Sequence, residues 1–164
     1  MSGKRVVIDA SAALKWRLRD EEATEGADSL LDDFLAGGLD LLTPTLFDYE
    51  VANALKTAVV VNRLTEAEAL DAIRDFGEYQ IERCDIWPIQ EAAVQLALQH
   101  QRSVYDAAYM ALAQSERLWF YTGDRRLFNA VGKALPWVKW IGDYEYTAIP
   151  ESVSRRKQGR QVDK

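Results

Sequence analysis

Cysteine and histidine occur once each in the 164 residues, as Cys84 and His100, and proline only four times. A single cysteine excludes an internal disulfide, and with one histidine it leaves too few soft ligands for a zinc site. Paired-histidine ribonuclease chemistry is excluded, and Ser-His-Asp or Cys-His catalysis is poorly supplied. No apolar stretch approaches the roughly 20 residues of a membrane-spanning helix, and the N-terminus carries no secretory apolar region. The expectation is a cytoplasmic protein with no membrane partner. An enzyme made from this inventory has to work with carboxylates, through a metal that prefers oxygen ligands.

The chain is long enough for one domain with a real core and too short for two comfortable ones. Residues 1–150 read as that domain, and 151–164 as a basic, flexible tail. A formal net charge of −6 argues against nucleic acid as a partner. Its distribution weakens the objection: the tail carries Arg155, Arg156, Lys157, Arg160 and Lys164 against Asp163 alone. A clustered acidic site for divalent cations accounts for part of the imbalance left in the rest, and surface acids such as Asp20-Glu21-Glu22 for more.

Val6, Val7 and Ile8 form an uninterrupted β-branched run, as suits a strand buried on both faces at the centre of a parallel sheet. Asp9 ends that run at the carboxyl edge of the sheet, where ligands of open α/β folds bind. It can equally cap a helix from Ala12 to about Arg19, alone or with Ser11. Further helices are predicted over 22–36, 45–62, 65–79, 91–100, 103–115 and 125–133, with strands over 39–43, 83–87, 118–121 and 138–141. Strands alternating with helices, without Asn-Gly hairpins, predict an α/β three-layer sandwich: a central parallel sheet of about five strands flanked by helices.

Three further acids stand out. Asp106 is the lone charge on a helix apolar almost all round, and Ser103 three residues earlier makes it a candidate capping box as well. Asp124 follows a strand and opens a helix, repeating the arrangement at Asp9, and an N-cap there needs no other function. Glu50 lies on the shoulder of a helix whose buried face is Phe47, Val51, Ala54, Leu55 and Ala58, with Asn53 one turn on to orient it. Carboxylates gathered at one sheet edge repel by roughly 3 kcal/mol per pair at about 5 Å in an effective dielectric near 20. Mg²⁺ or Mn²⁺ is the natural compensation, and it brings water activation for phosphodiester cleavage.

Four segments in order, Val7-Ile8-Asp9-Ala10-Ser11, Glu50-Val51-Ala52-Asn53-Ala54-Leu55, Tyr105-Asp106-Ala107-Ala108-Tyr109-Met110-Ala111-Leu112-Ala113 and Thr122-Gly123-Asp124-Arg125-Arg126-Leu127, resemble the PIN domain. Within that family the likeness is to the VapC-type toxins of toxin–antitoxin pairs, over roughly residues 4–142. The resemblance implies a five-stranded parallel sheet, Mg²⁺- or Mn²⁺-dependent endoribonuclease activity on RNA, a homodimer and a cognate antitoxin that blocks the site. It makes Asp9, Glu50, Asp106 and Asp124 the catalytic and metal-binding quartet, with Ser11, Asn53 and Thr122 in support. One departure is Gln101, where many relatives turn with glycine. Arg125 and Arg126 are candidates for RNA phosphates, as are Lys15 and Arg19, though each also reads as a solvated helix residue. Tyrosines and tryptophans read as core.

Two other functions compete. A PIN-like scaffold would bind RNA or protein without cutting, but such domains lose some of the acids. An Asp-phosphoacceptor domain would want a second acid two positions from Asp9 or an acid pair just before it, where Ser11 and Val6-Val7 stand.

Overall fold

The computed structural model describes residues 3–152, so the tail beyond Ser152 lies outside the described residues. The β-branched run makes β1 (Arg5–Ile8), and Val6, Val7 and Ile8 are fully buried. A short helix α1 (Ala10–Leu14) follows, then α2 (Thr24–Leu35), β2 (Asp40–Pro44), α3 (Leu46–Val60) and α4 (Glu66–Glu78). After β3 (Glu82–Cys84) come α5 (Gln90–His100), α6 (Val104–Glu116), β4 (Trp119–Thr122), α7 (Arg125–Val131) and β5 (Val138–Trp140). All four strand pairings are parallel, in the order β3-β2-β1-β4-β5. The chain leaves β1 toward β2 on one side and later returns to β4 on the other, so the carboxyl ends of β1 and β4 form the topological switch of the sheet. Helix α6 packs over β1, β2 and β4, with α5 against it, and α3 packs on α1 and α4.

The expected α/β sandwich is the observed one, with two local corrections. The first helix does not run to Arg19. Beyond Leu14 the backbone tightens into three-residue turns, Trp16 N to Ala13 O and Arg17 N to Leu14 O, while Trp16 and Leu18 are drawn into the core. Trp16 stacks on Phe76 and donates its Nε1 to Ala27 O at 2.8 Å, contacts a straight helix would forgo. The strand expected over 83–87 stops at Cys84. Asp85 Oδ1 accepts the N–H of Trp87 at 2.9 Å, and this turn, followed by Pro88, leads into a 3₁₀ segment.

Gln101 ends α5 in the left-handed region, at φ 53° and ψ 45°. This is the conformation glycine adopts without steric cost. Gln101→Gly is expected to stabilise the fold by about 1 kcal/mol, a rise in Tm of about 2–4 °C for a domain of this size. Thermal unfolding of the two proteins checks it.

Candidate active site

Asp9 is the residue where β1 becomes α1, and its side chain is 6% exposed. As the N-cap its Oδ1 accepts the Ala12 N–H at 2.9 Å, and the same oxygen takes the Ser11 hydroxyl at 2.6 Å. Its Oδ2 takes the Thr122 hydroxyl, from the end of the neighbouring β4, at 2.6 Å. Gly123 N–H donates to Ser11 Oγ at 3.0 Å, and Asp124 N–H to Thr122 Oγ1 at 3.0 Å. The two hydroxyls therefore tie the ends of β1 and β4 together through one carboxylate. Burial pushes the Asp9 carboxyl above its ordinary range, against the hydrogen bonds from Ser11, Thr122, Ala12 and Gly123 that favour its charge.

Glu50, half-buried on α3, accepts the Tyr109 hydroxyl on Oε1 at 2.6 Å. Its carboxyl is also pushed up, chiefly by burial and further by the negative charges of Asp9 and Asp106, while the Tyr109 bond works the other way. The structure thus brings Asp9, Glu50 and Asp106 into one electrostatic neighbourhood. Asp106 lies in the first turn of α6, where Ser103 accepts its backbone N–H at 3.1 Å and Arg102 reaches its Oδ2 at 3.1 Å. Asp124 stands at the same sheet edge, one residue past Gly123. Its Oδ1 faces back onto the N–H groups of Arg126 and Leu127 as the cap of α7.

Among the described residues no three His, Cys, Asp or Glu side chains close around a single metal-sized position. A magnesium-like ion keeps several waters and binds through one or two carboxylates beside a substrate phosphate. The donor set fits such an ion: hard oxygens only, with like charges on Asp9, Glu50 and Asp106 that a cation offsets.

Sequence reading missed the roles of two residues here and misjudged the surroundings of two others. Tyr109, assigned to the core, is indeed 2% exposed and stacks on Phe120, but its hydroxyl is what orients Glu50. Asn53, expected in that role, is exposed, and among the described residues no hydrogen bond joins it to Glu50, because its position on α3 turns it to solvent. Arg102 was not singled out, although its place four residues before Asp106 is the spacing of a helical ion pair. Lys15 is not solvated: it is 2% exposed. Of the other cations considered, Arg19 is bound at both nitrogens by Asp28, at 2.7 Å each. Arg125 lies over the Trp140 ring at 3.9 Å and pairs with Glu22, and Arg126 is exposed.

The sequence profile of the PIN domain matches residues 6–134, which span β1 to the end of α7. This chain belongs to the PIN domain family, among its VapC-type members. It is 32% identical to ribonuclease VapC12 of Mycobacterium tuberculosis over 127 residues, covering 77% of this chain and 92% of that protein. It is also 32% identical to ribonuclease VapC1 of the same organism over 128 residues, covering 77% and 90%. Among solved structures it resembles PAE2754 from Pyrobaculum aerophilum, at a TM-score of 0.57 and 25% identity, covering 78% of this chain and 80% of the other. A toxin–antitoxin complex from Klebsiella pneumoniae shares the fold at a TM-score of 0.55 and 18% identity, over 82% and 95%.

Replacing the Tyr109 hydroxyl tests its place in this PIN site. In Tyr109→Phe the ring keeps its stack on Phe120, 5.7 Å between centroids, so the fold stands. Glu50 loses its orienting donor, and activity or metal affinity is expected to fall about 10–100-fold. Because that hydrogen bond lowers the Glu50 pKa, its loss moves the acid limb of the pH–rate profile to higher pH. A purely structural tyrosine would leave the limb where it is.

Proposed function

We propose that this VapC-type PIN protein is a Mg²⁺- or Mn²⁺-dependent endoribonuclease that cleaves RNA phosphodiesters as the toxin of a toxin–antitoxin pair. The observation that supports it most is the convergence of the Asp9, Glu50 and Asp106 charges at the carboxyl end of the central strand. In this reading Asp9 and Asp106 hold the metal, Glu50 completes the site, and Asp124 joins from the cap of α7. A bound divalent cation supplies Lewis acidity, neutralising charge on the reacting phosphate and lowering the pKa of water.

The chain's own residues supply orientation and a proton acceptor. Ser11 and Thr122 fix the Asp9 carboxylate on two sides, so it cannot rotate away from the sheet edge. Tyr109 holds Oε1 of Glu50, which leaves Oε2 to accept the proton of an attacking water. Attack of the water oxygen on phosphorus breaks the bond to the 3′ oxygen, which takes a proton from solvent, giving a 5′-phosphate and a 3′-hydroxyl. The same reading makes residues 1–150 one domain and gives the protein a cognate antitoxin and a homodimeric state.

The experiment is cleavage of a mixed RNA pool by the purified protein with Mg²⁺, with Mn²⁺ and with EDTA. Cleavage with either metal and none in EDTA is the expected result. Cleavage that persists in EDTA overturns the metal mechanism, and none under any condition by folded, antitoxin-free protein favours the scaffold.

A further inference from the structure

The four acids of the site differ in what holds them. Asp9 is held by two hydroxyls and by backbone N–H groups, Glu50 by the Tyr109 hydroxyl, and Asp124 by the N–H groups of Arg126 and Leu127. Among the described residues only Asp106 of the four pairs with a cation, Arg102, four residues earlier. The charges of Asp9 and Asp106 both act on Glu50. The carboxylate that Arg102 neutralises is therefore one of those that repel each other at the sheet edge.

This pair is loosely made. Nε and Nη2 of Arg102 both approach Oδ2, at 3.3 and 3.1 Å, and Oδ1 accepts no hydrogen bond from the described residues. An arginine that fixes a carboxylate gives one N–H to each oxygen at about 2.7–2.9 Å, as Arg19 does with Asp28 at 2.7 Å on both. Nor does the helix cap hold the Asp106 carboxylate. In α4 the same spacing closes in both directions: Thr65 Oγ1 accepts the Glu68 N–H at 3.2 Å, and Glu68 Oε2 accepts the Thr65 N–H at 2.7 Å. In α6 only the first half is made, from Asp106 N–H to Ser103 Oγ at 3.1 Å, and no described hydrogen bond returns from the Ser103 N–H to the carboxylate. Arg102 has the same division. Gln101 reverses the chain in the left-handed region and Ala97 O takes the Arg102 N–H at 3.0 Å, which pins the backbone, while the side chain is 24% exposed. Parting the two groups takes rotation of side chains alone.

We propose that Arg102 is the internal counter-ion of Asp106 and competes with the divalent cation for that carboxylate. The inference rests on the metal-dependent reading of the site. Guanidinium and metal ion are like charges drawn to one group, so each weakens the hold of the other. The free metal concentration at which the site fills is then set by Arg102 as well as by the acids. Arg102 is a positioning residue, acting on the metal through Asp106.

The test is calorimetric titration of the full-length, RNA-free protein with Mg²⁺ and with Mn²⁺. Parent, Arg102→Met and Arg102→Lys are compared, and Arg102→Met is repeated in an Asp106→Asn background. Arg102→Met is expected to bind either ion about fivefold more tightly, the factor equivalent to the roughly 1 kcal/mol at the upper end for a part-exposed pair. Arg102→Lys keeps a charge four residues before Asp106 and should return most of the parent's weaker affinity. In the Asp106→Asn background the gain from Arg102→Met should disappear, since the competition needs the carboxylate. Tm in EDTA should stay close to the parent's, because a part-exposed pair carries little of the fold.

Weaker metal binding by Arg102→Met would overturn the proposal, because the guanidinium would then be what presents Asp106 to the ion. Unchanged binding would overturn it too, leaving an ordinary solvated pair. A gain that persists with Asp106→Asn would assign the effect to the general field of a surface cation and not to competition for Asp106. Failure of the underlying reading is separable. A parent that takes up neither ion would remove the metal site and the competition together, whereas uptake that Asp9→Asn abolishes and Arg102→Met leaves unchanged would remove the competition alone.

Discussion

Asp9→Asn is expected to abolish RNA cleavage and, in the absence of metal, to leave a protein at least as stable as the parent at neutral pH. The loss of activity should lie well beyond the 10–100-fold typical of a lost supporting hydrogen bond, because Asp9 is the most enclosed acid of the site. The fold tolerates the change because the amide can reproduce the contacts. Its oxygen still accepts from Ala12 N and Ser11 Oγ, and its NH₂ donates to Thr122 Oγ1, which can reverse its role.

The sign of the stability effect follows from the raised Asp9 pKa. The folded state binds this proton more tightly than the unfolded chain does, so stability falls as pH rises from the unfolded to the folded pKa. Above that window the whole penalty stands, and at neutral pH the parent bears it while the asparagine variant does not. Below the window both side chains are neutral and the advantage of the variant disappears. Added Mg²⁺ reverses the order at neutral pH. Saturating ion at about 100 times its Kd contributes about 2.7 kcal/mol to the parent, a Tm rise of about 5–11 °C at about 2–4 °C per kcal/mol. Asp9→Asn should lose most of that rise. A variant that cleaves at the parent rate, or whose Tm rises with Mg²⁺ as the parent's does, would remove Asp9 from the metal site.

The parts of this site that could be read from sequence are those fixed by local grammar. A β-branched run ending in Asp, with a hydroxyl two residues on, announces both a central strand and its capped helix, and Asp124 after β4 repeats the pattern. Parallel neighbours then have to deliver both ends to one edge, so Asp9 and Thr122 meet although 113 residues separate them. The parts that escaped depend on which way a side chain turns after tertiary packing. Tyr109 looks like any aromatic on an apolar helix, and only the crossing of α6 with α3 gives its hydroxyl to Glu50. Lys15 looks like a solvated helix residue until α1 ends at Leu14 and the chain tightens. That change of pitch follows the burial of Trp16 and Leu18, which no periodicity argument anticipates.

The same junction makes Gly123 a position where one methyl group should damage the site itself. Its φ is not in the left-handed region, so the need for glycine is space alone. A Cβ there would lie 2.6 Å from Ser11 O, 2.7 Å from Ser11 C and 2.6 Å from Lys15 Cε. Lysine can shift, but the Ser11 backbone belongs to the turn that Asp9 caps and cannot retreat without carrying Asp9 with it. The β4–α7 turn has to swing outward instead, lengthening the 3.0 Å bond from Gly123 N to Ser11 Oγ and pulling Thr122 off the Asp9 carboxylate. Overpacking of this kind costs about 1–3 kcal/mol, a Tm fall of about 2–12 °C. A displacement on the order of 1 Å at a reacting centre costs about 100-fold in rate. Gly123→Ala should therefore lose activity out of proportion to its stability. Gly77→Ala is the control: Gly77 sits within α4 with nothing inside 4 Å of its Cβ position, so alanine there should add about 0.5–1 kcal/mol and leave cleavage unchanged. If Gly123→Ala kept the parent's stability and rate, the close approach of the two strand ends would not be what fixes Asp9. Its orientation would then rest on the α1 cap and Ser11 alone.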